Sequence, residues 1–143
     1  MRKSKRAQKS TGSGNLEWRP ANDIQARISY LVRALDLSWI RTEKVHCFRS
    51  KNSSARAYAR IWGLNRVWQI ALSEEPAYIL EVLSEKYDEL RARKKDEVLL
   101  HELAHIPKNF SGALMPHRRG KGGFHDKLRT MIAQYNKINK KYL

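Results

Sequence analysis

The chain has 143 residues, enough for one domain around one core. Hydrophobic residues make up 41% and charged residues 30%, ordinary values for a globular protein. No apolar run reaches the ~20 residues of a bilayer-spanning helix, which excludes a helical membrane span. Lys and Arg number 29 against 14 Asp and Glu, a formal charge of +15. Such an excess attracts polyanions over a Debye length of roughly 8 Å at physiological salt. Nucleic acid is the commonest partner of that kind; added solubility is the plainer reading.

In chain order, residues 1–19 read as a basic flexible arm. Arg2, Lys3, Lys5, Arg6 and Lys9 precede Ser10-Thr11-Gly12-Ser13-Gly14, a stretch that can bury nothing. No apolar stretch follows the basic cluster, so it is not a secretory signal. With a single cysteine, Cys47, no internal disulfide forms, and a cytoplasmic setting is expected.

Residues 20–143 read as one domain. Ile24, Ile28, Leu31 and Leu35 recur on one face and predict a helix over Pro20–Leu37. Glu43–Phe48 reads as a strand. Arg56–Trp62 and Arg66–Leu72 both alternate and flank Gly63-Leu64-Asn65, which predicts an antiparallel hairpin. Ala77–Leu83 reads as a strand followed by helical turns around Glu85–Leu90. Lys95–Ile106 is apolar nearly all round and predicts a buried helix, stopped by Pro107. Lys108–Gly123 has no period and reads as a loop. A final helix over Phe124–Lys140 buries Leu128, Met131, Ile132 and Tyr135. The expected class is α+β: an N-terminal helix, a small antiparallel sheet, the buried helix and a C-terminal helix.

The buried helix carries His101-Glu102-Leu103-Ala104-His105. Residues four apart share a helix face, so His101 and His105 can point ring nitrogens at one Zn²⁺. Glu102 falls beside them, near a water on that metal. A carboxylate there can take the water's proton during attack on a carbonyl and pass it to the leaving amine. The pattern is short and arises by chance, but its setting gives it weight. Three polar groups in an apolar helix each need a partner, at a cost of about 1–3 kcal/mol if unmet. One metal site satisfies all three.

A third ligand must come from downstream. The His-x-x-Gly-x-x-His continuation is excluded, because its Gly and final His positions hold Lys108 and Ser111. A glutamate ligand is excluded too, because none follows Glu102. His117, His125 and Asp126 remain.

Two words, His101-Glu102-Leu103-Ala104-His105-Ile106-Pro107 and Phe110-Ser111-Gly112-Ala113-Leu114-Met115-Pro116-His117, resemble a family of metallopeptidases found in archaea and phages. The resemblance runs from about Trp62 to the C-terminus. It implies a zincin-like α+β domain, with His101 and His105 as zinc ligands and Glu102 as the base. The family's Gly-x-Leu-x-x-His word supplies the third ligand, which maps here onto His117. The chain is also similar in outline to SprT-like peptidases, some of which act on proteins attached to DNA. Their third histidine opens the helix after the loop, and that placement maps onto His125. We favour His117, with His125 as the alternative.

Other residues carry weaker expectations. His46 reads as structural and Cys47 as a small buried hydrophobe. Trp62 and Trp68, interleaved with Arg56, Arg60 and Arg66, read as cross-strand packing more than as base stacking. Arg118, Arg119 and Lys121 sit beside glycines and, with the basic arm, are the candidate phosphate contacts. The leading function is therefore a zinc peptidase acting on protein or peptide. The rival is a basic nucleic-acid-binding module with a structural metal, in which His117 and His125 would close a four-ligand site.

Overall fold

A computed structural model describes residues 14–118 and 120–140. Arg2, Lys3, Lys5, Arg6 and Arg119, five of the candidate phosphate contacts, lie outside them. The described chain is α+β, with a four-stranded sheet and five helices. The strands are β1 (Glu17–Pro20), β2 (Val45–Lys51), β3 (Ala59–Gly63) and β4 (Tyr78–Leu83). The helices are α1 (Asn22–Ala34), α2 (Arg66–Leu72), α3 (Ser84–Tyr87), α4 (Ala92–Ala104) and α5 (Phe124–Lys140). No described helix is long and apolar enough to cross a membrane.

The strand order is β1-β2-β4-β3. β1 pairs antiparallel to β2, with Trp18 opposite Ser50. It begins inside the stretch assigned above to the arm. Its four residues are all exposed, so no burial pattern marks them; the bonds of its partner make it a strand. Pro20 is tolerated there because β1 is an edge.

The sheet is mixed, and this corrects the antiparallel one expected. β2 runs parallel to β4, from Val45 opposite Tyr78 to Ser50 opposite Leu83. A parallel pair needs a crossover, and β3 with α2 supplies it. The expected hairpin is absent: β3 pairs antiparallel with β4, Ala59 opposite Val82, and Arg66–Leu72 is helix α2. Asn65 starts that helix, its side chain accepting from the Trp68 amide at 3.2 Å.

One face of the sheet builds the core. Val45, Cys47, Ala59, Tyr78, Leu80 and Val82 point to it and meet Ile24, Ile28 and Leu31 of α1 and the apolar side chains of α4. Leu99, Leu100 and Leu103 are fully buried, each contributing about 1.5–3 kcal/mol of hydrophobic stabilisation. Burial pushes the Cys47 thiol up to about 12, so it stays protonated and inert. α1 ends where Asp36 takes a left-handed φ of 54 and the Leu37 amide closes onto the Val32 carbonyl at 2.9 Å.

The helices are tied by one buried carboxylate. Asp96 of α4 accepts two bonds from the Arg27 guanidinium of α1, at 2.8 and 2.7 Å, and one from the Tyr135 hydroxyl of α5 at 2.6 Å. A buried acid is tolerable when charge and lone pairs are both met. This clamp fixes α4 against its neighbours, and α4 is the helix that carries the histidine pair.

On the opposite sheet face, Glu81 is fully buried. It accepts from Arg60 Nε at 3.1 Å and Trp62 Nε1 at 3.0 Å. Trp18 packs against Trp62 at 6.3 Å between ring centroids. Trp62 and Arg60 thus serve cross-strand packing, although Trp62, like Trp68 on α2, stays exposed. His46 is exposed on β2.

Candidate metal centre

Helix α4 buries Asp96, Val98, Leu99, Leu100, Leu103 and Ala104, leaving the His101–His105 edge at its surface. Both histidines are half-buried. Pro107 follows and prevents the helix from continuing. The chain then bends through two left-handed residues, Phe110 at φ 47 and Gly112 at φ 97. It comes back alongside His105: the Met115 amide donates to the His105 carbonyl at 2.7 Å. In return His105 Nδ1 meets the Met115 carbonyl at 2.5 Å. A carbonyl can only accept, so Nδ1 carries the proton and Nε2 keeps its lone pair.

Two residues of the sheet side clasp this returning loop. The Tyr78 hydroxyl donates to the Ala113 carbonyl and accepts from the Gly112 amide, both at 2.8 Å. Gln69 Nε2 donates to Leu64 O at 2.7 Å and Ser111 O at 2.9 Å. At Gly112 an added Cβ would lie 2.3 Å from Leu64 O. Gly112→Ala therefore combines a left-handed φ with a backbone clash. It is expected to lower stability by about 2–4 kcal/mol and to weaken metal binding, since the loop cannot seat. Denaturant midpoints and a chelator competition check this; wild-type values in both would refute it.

The loop delivers His117 to the helix. His101 Nε2 and His117 Nε2 lie 3.1 Å apart, and the His105 and His117 ring centroids 4.5 Å apart. One nitrogen from each of His101, His105 and His117 falls within 4.8 Å of the others. Nitrogens each 2.0–2.1 Å from one ion at a tetrahedral angle stand about 3.3 Å apart; the His101–His117 pair is close to that spacing, and the three are placed to hold one ion. His125 is not in this group; its ring lies 6.4 Å from that of His117. Asp126 faces elsewhere, accepting from the Gly122 amide at 2.9 Å and pairing with Arg129.

Burial keeps the two helix-borne imidazoles in their donor form. Burial, then repulsion from the other histidines and Lys94, holds His101 down at about 4. Burial also lowers His105, against the opposing pull of the Met115 carbonyl. Both imidazoles are thus neutral near pH 7, the form that binds metal. Glu102 is pushed up to about 7 by burial. It borders with His101 a cleft of about 430 Å³ that also touches Tyr58, Ala59 and Leu128. His117 is exposed, so the side away from α4 is open.

Sequence reading missed three supports. Phe124, fully buried, stacks on His105 at 4.3 Å and 23°. Tyr78 and Gln69 hold the loop, and nothing in their local pattern announces it. Gly112 could have been a hint, since a glycine in a histidine-bearing loop marks a tight backbone position. Arg118 and Lys121 are exposed on the loop after His117.

No curated protein and no solved structure matches the chain. A family model described as "Putative phage metallopeptidase" matches residues 16–141. Its span takes in the whole sheet, the histidine helix and the loop that brings His117 back, and the chain belongs to that family.

Proposed function

We propose that the protein is a zinc-dependent peptidase that hydrolyses peptide bonds, with His101, His105 and His117 as metal ligands and Glu102 as general base. The observation that carries this reading is the convergence of three imidazole nitrogens within 4.8 Å beside a buried glutamate. Three imidazole nitrogen donors with an open side suit zinc in a catalytic site. When bound, the ion would supply Lewis acidity, lowering the pKa of water and polarising a carbonyl.

The chain's own residues do the rest. The Met115 carbonyl fixes the His105 tautomer so that Nε2 keeps the lone pair that would bind a metal. A Glu102 carboxylate oxygen takes a proton from the attacking water and later gives it to the leaving amine nitrogen. Its low-polarity surroundings raise its basicity and so its power as a base. β3 is an edge strand, and its start at Ala59 borders the same cleft as His101 and Glu102. An extended substrate can align there by backbone pairing. Membership of the phage metallopeptidase family supports the same reading. A base beside the ligands favours it over a structural metal in a nucleic-acid-binding module.

Protein purified without chelator is expected to hold about one zinc per chain, the count for a single catalytic site. It should cleave an unstructured protein, lose that activity on stripping and regain it with zinc. Elemental analysis alongside the assay tests this. Absence of metal even after zinc is offered would sink the proposal.

A further inference from the structure

Met115 belongs to two places at once. Its carbonyl holds His105, while its side chain borders a second cleft of about 930 Å³. Leu35, Leu37, Trp39 and Met131 make the walls of that cleft largely apolar. Into it reach two ammonium groups. Lys127 Nζ lies 4.9 Å from the Trp39 ring centroid and Lys108 Nζ 5.2 Å from the same ring. Among the described residues, neither lysine has a carboxylate within ion-pair distance. Asp36 and Asp126 also border the cleft, but Asp126 is engaged by Gly122 and Arg129.

Two like charges against one indole repel each other. An anion bound in the cleft lowers that repulsion and gains a charge-assisted bond from either ammonium it reaches. Lys127 has a structural task as well: it donates to the Ile106 carbonyl, which also accepts from Trp39 Nε1 at 3.2 Å, and so caps the end of α4. It further reaches Met115 Sδ at 3.5 Å, a weak acceptor, which leaves a donor for a ligand. Lys108 has no such task; it is exposed and follows Pro107 directly. The pair is therefore unexplained by packing alone.

We infer that this cleft binds the carboxylate of a peptide, either its C-terminus or an acidic side chain, between Lys108 and Lys127. Apolar walls with a small cationic end suit a peptide segment better than a polyanion, which would want an open basic surface. Met115 is the residue this cleft shares with the contacts of His105; its other walls are separate from the cleft beside His101 and Glu102. That this peptide is a substrate rests on the peptidase reading; that it binds does not.

The test uses the full zinc-loaded chain as Glu102→Gln, so that no turnover confuses binding. Four synthetic peptides of one sequence are compared by calorimetry: neutral with a C-terminal amide, the same with a free C-terminal carboxylate, and amides with one internal Glu or Gln. At least one carboxylate peptide should bind about tenfold tighter than its uncharged twin, as a charge-assisted bond predicts; which one identifies the source. Lys108→Met should bring that affinity down to the uncharged level without moving the thermal midpoint. Lys127→Met should do the same but also lower the midpoint. Equal affinity for all four peptides, or a carboxylate preference that survives both substitutions, would overturn the inference. Cleavage by the wild-type chain is scored separately by mass spectrometry. Carboxylate-dependent binding without any cleavage would sink the peptidase reading alone, and cleavage without carboxylate preference would sink the cleft assignment alone.

Discussion

Glu102→Gln is expected to keep its zinc and its fold while losing peptidase activity by at least about 10²–10⁴-fold, the usual cost of removing a general base. Glutamine matches the carboxylate in size and much of its hydrogen-bonding shape but accepts no proton. Glu102 is 9% exposed, so the neutral amide also removes the penalty of burying a charge, and the variant should be no less stable. The measurement pairs zinc content and thermal midpoint with turnover of an unstructured protein. Collapse of zinc binding would make Glu102 a ligand or a fold element. Unchanged turnover would place the hydrolysis at another site.

His117→Ala should weaken zinc binding by more than about 100-fold, since losing even a ligand's hydrogen-bond partner costs 10–100-fold. His125→Ala should leave affinity near wild type, because its ring lies 6.4 Å from that of His117 and outside the cluster of nitrogens. Competition with a chromophoric chelator separates the two. The reverse pattern would hand the third position to His125. Loss in both variants would indicate a closed, four-ligand site and favour the structural-metal reading.

The helices that bury a continuous face were legible in the sequence. Phe124–Lys140 matches its expected bounds, and α4 starts three residues before the expected Lys95. Their 3.6-residue apolar period is local information. Arg66–Leu72 misled because its residues alternate like a strand. In fact Val67, Trp68, Ile70 and Leu72 are all exposed and only Gln69 is buried. A helix with no buried apolar face has no period to read, and the Asn65 cap is the lone local signal. β1 was hidden for the same reason. The parallel pairing of β2 with β4 joins residues 33 apart, such as Val45 and Tyr78, and no local pattern encodes a partner. At the site, the helix motif announces two histidines and a glutamate. The arrival of His117 depends on Tyr78, Gln69 and Phe124, whose roles exist only once the chain has folded.

The strand arrangement also sets an order in time. Every described strand lies between Glu17 and Leu83, while each histidine of the cluster comes at or after His101. During synthesis the sheet, with β4 seated between β2 and β3, can close before the first of these histidines leaves the ribosome. The loop that positions His117 then docks onto Tyr78 of β4 and Gln69 of α2, both of which precede it in the chain. A metal held by these histidines would thus be captured after the sheet has formed, unlike small zinc domains whose folding waits for the ion.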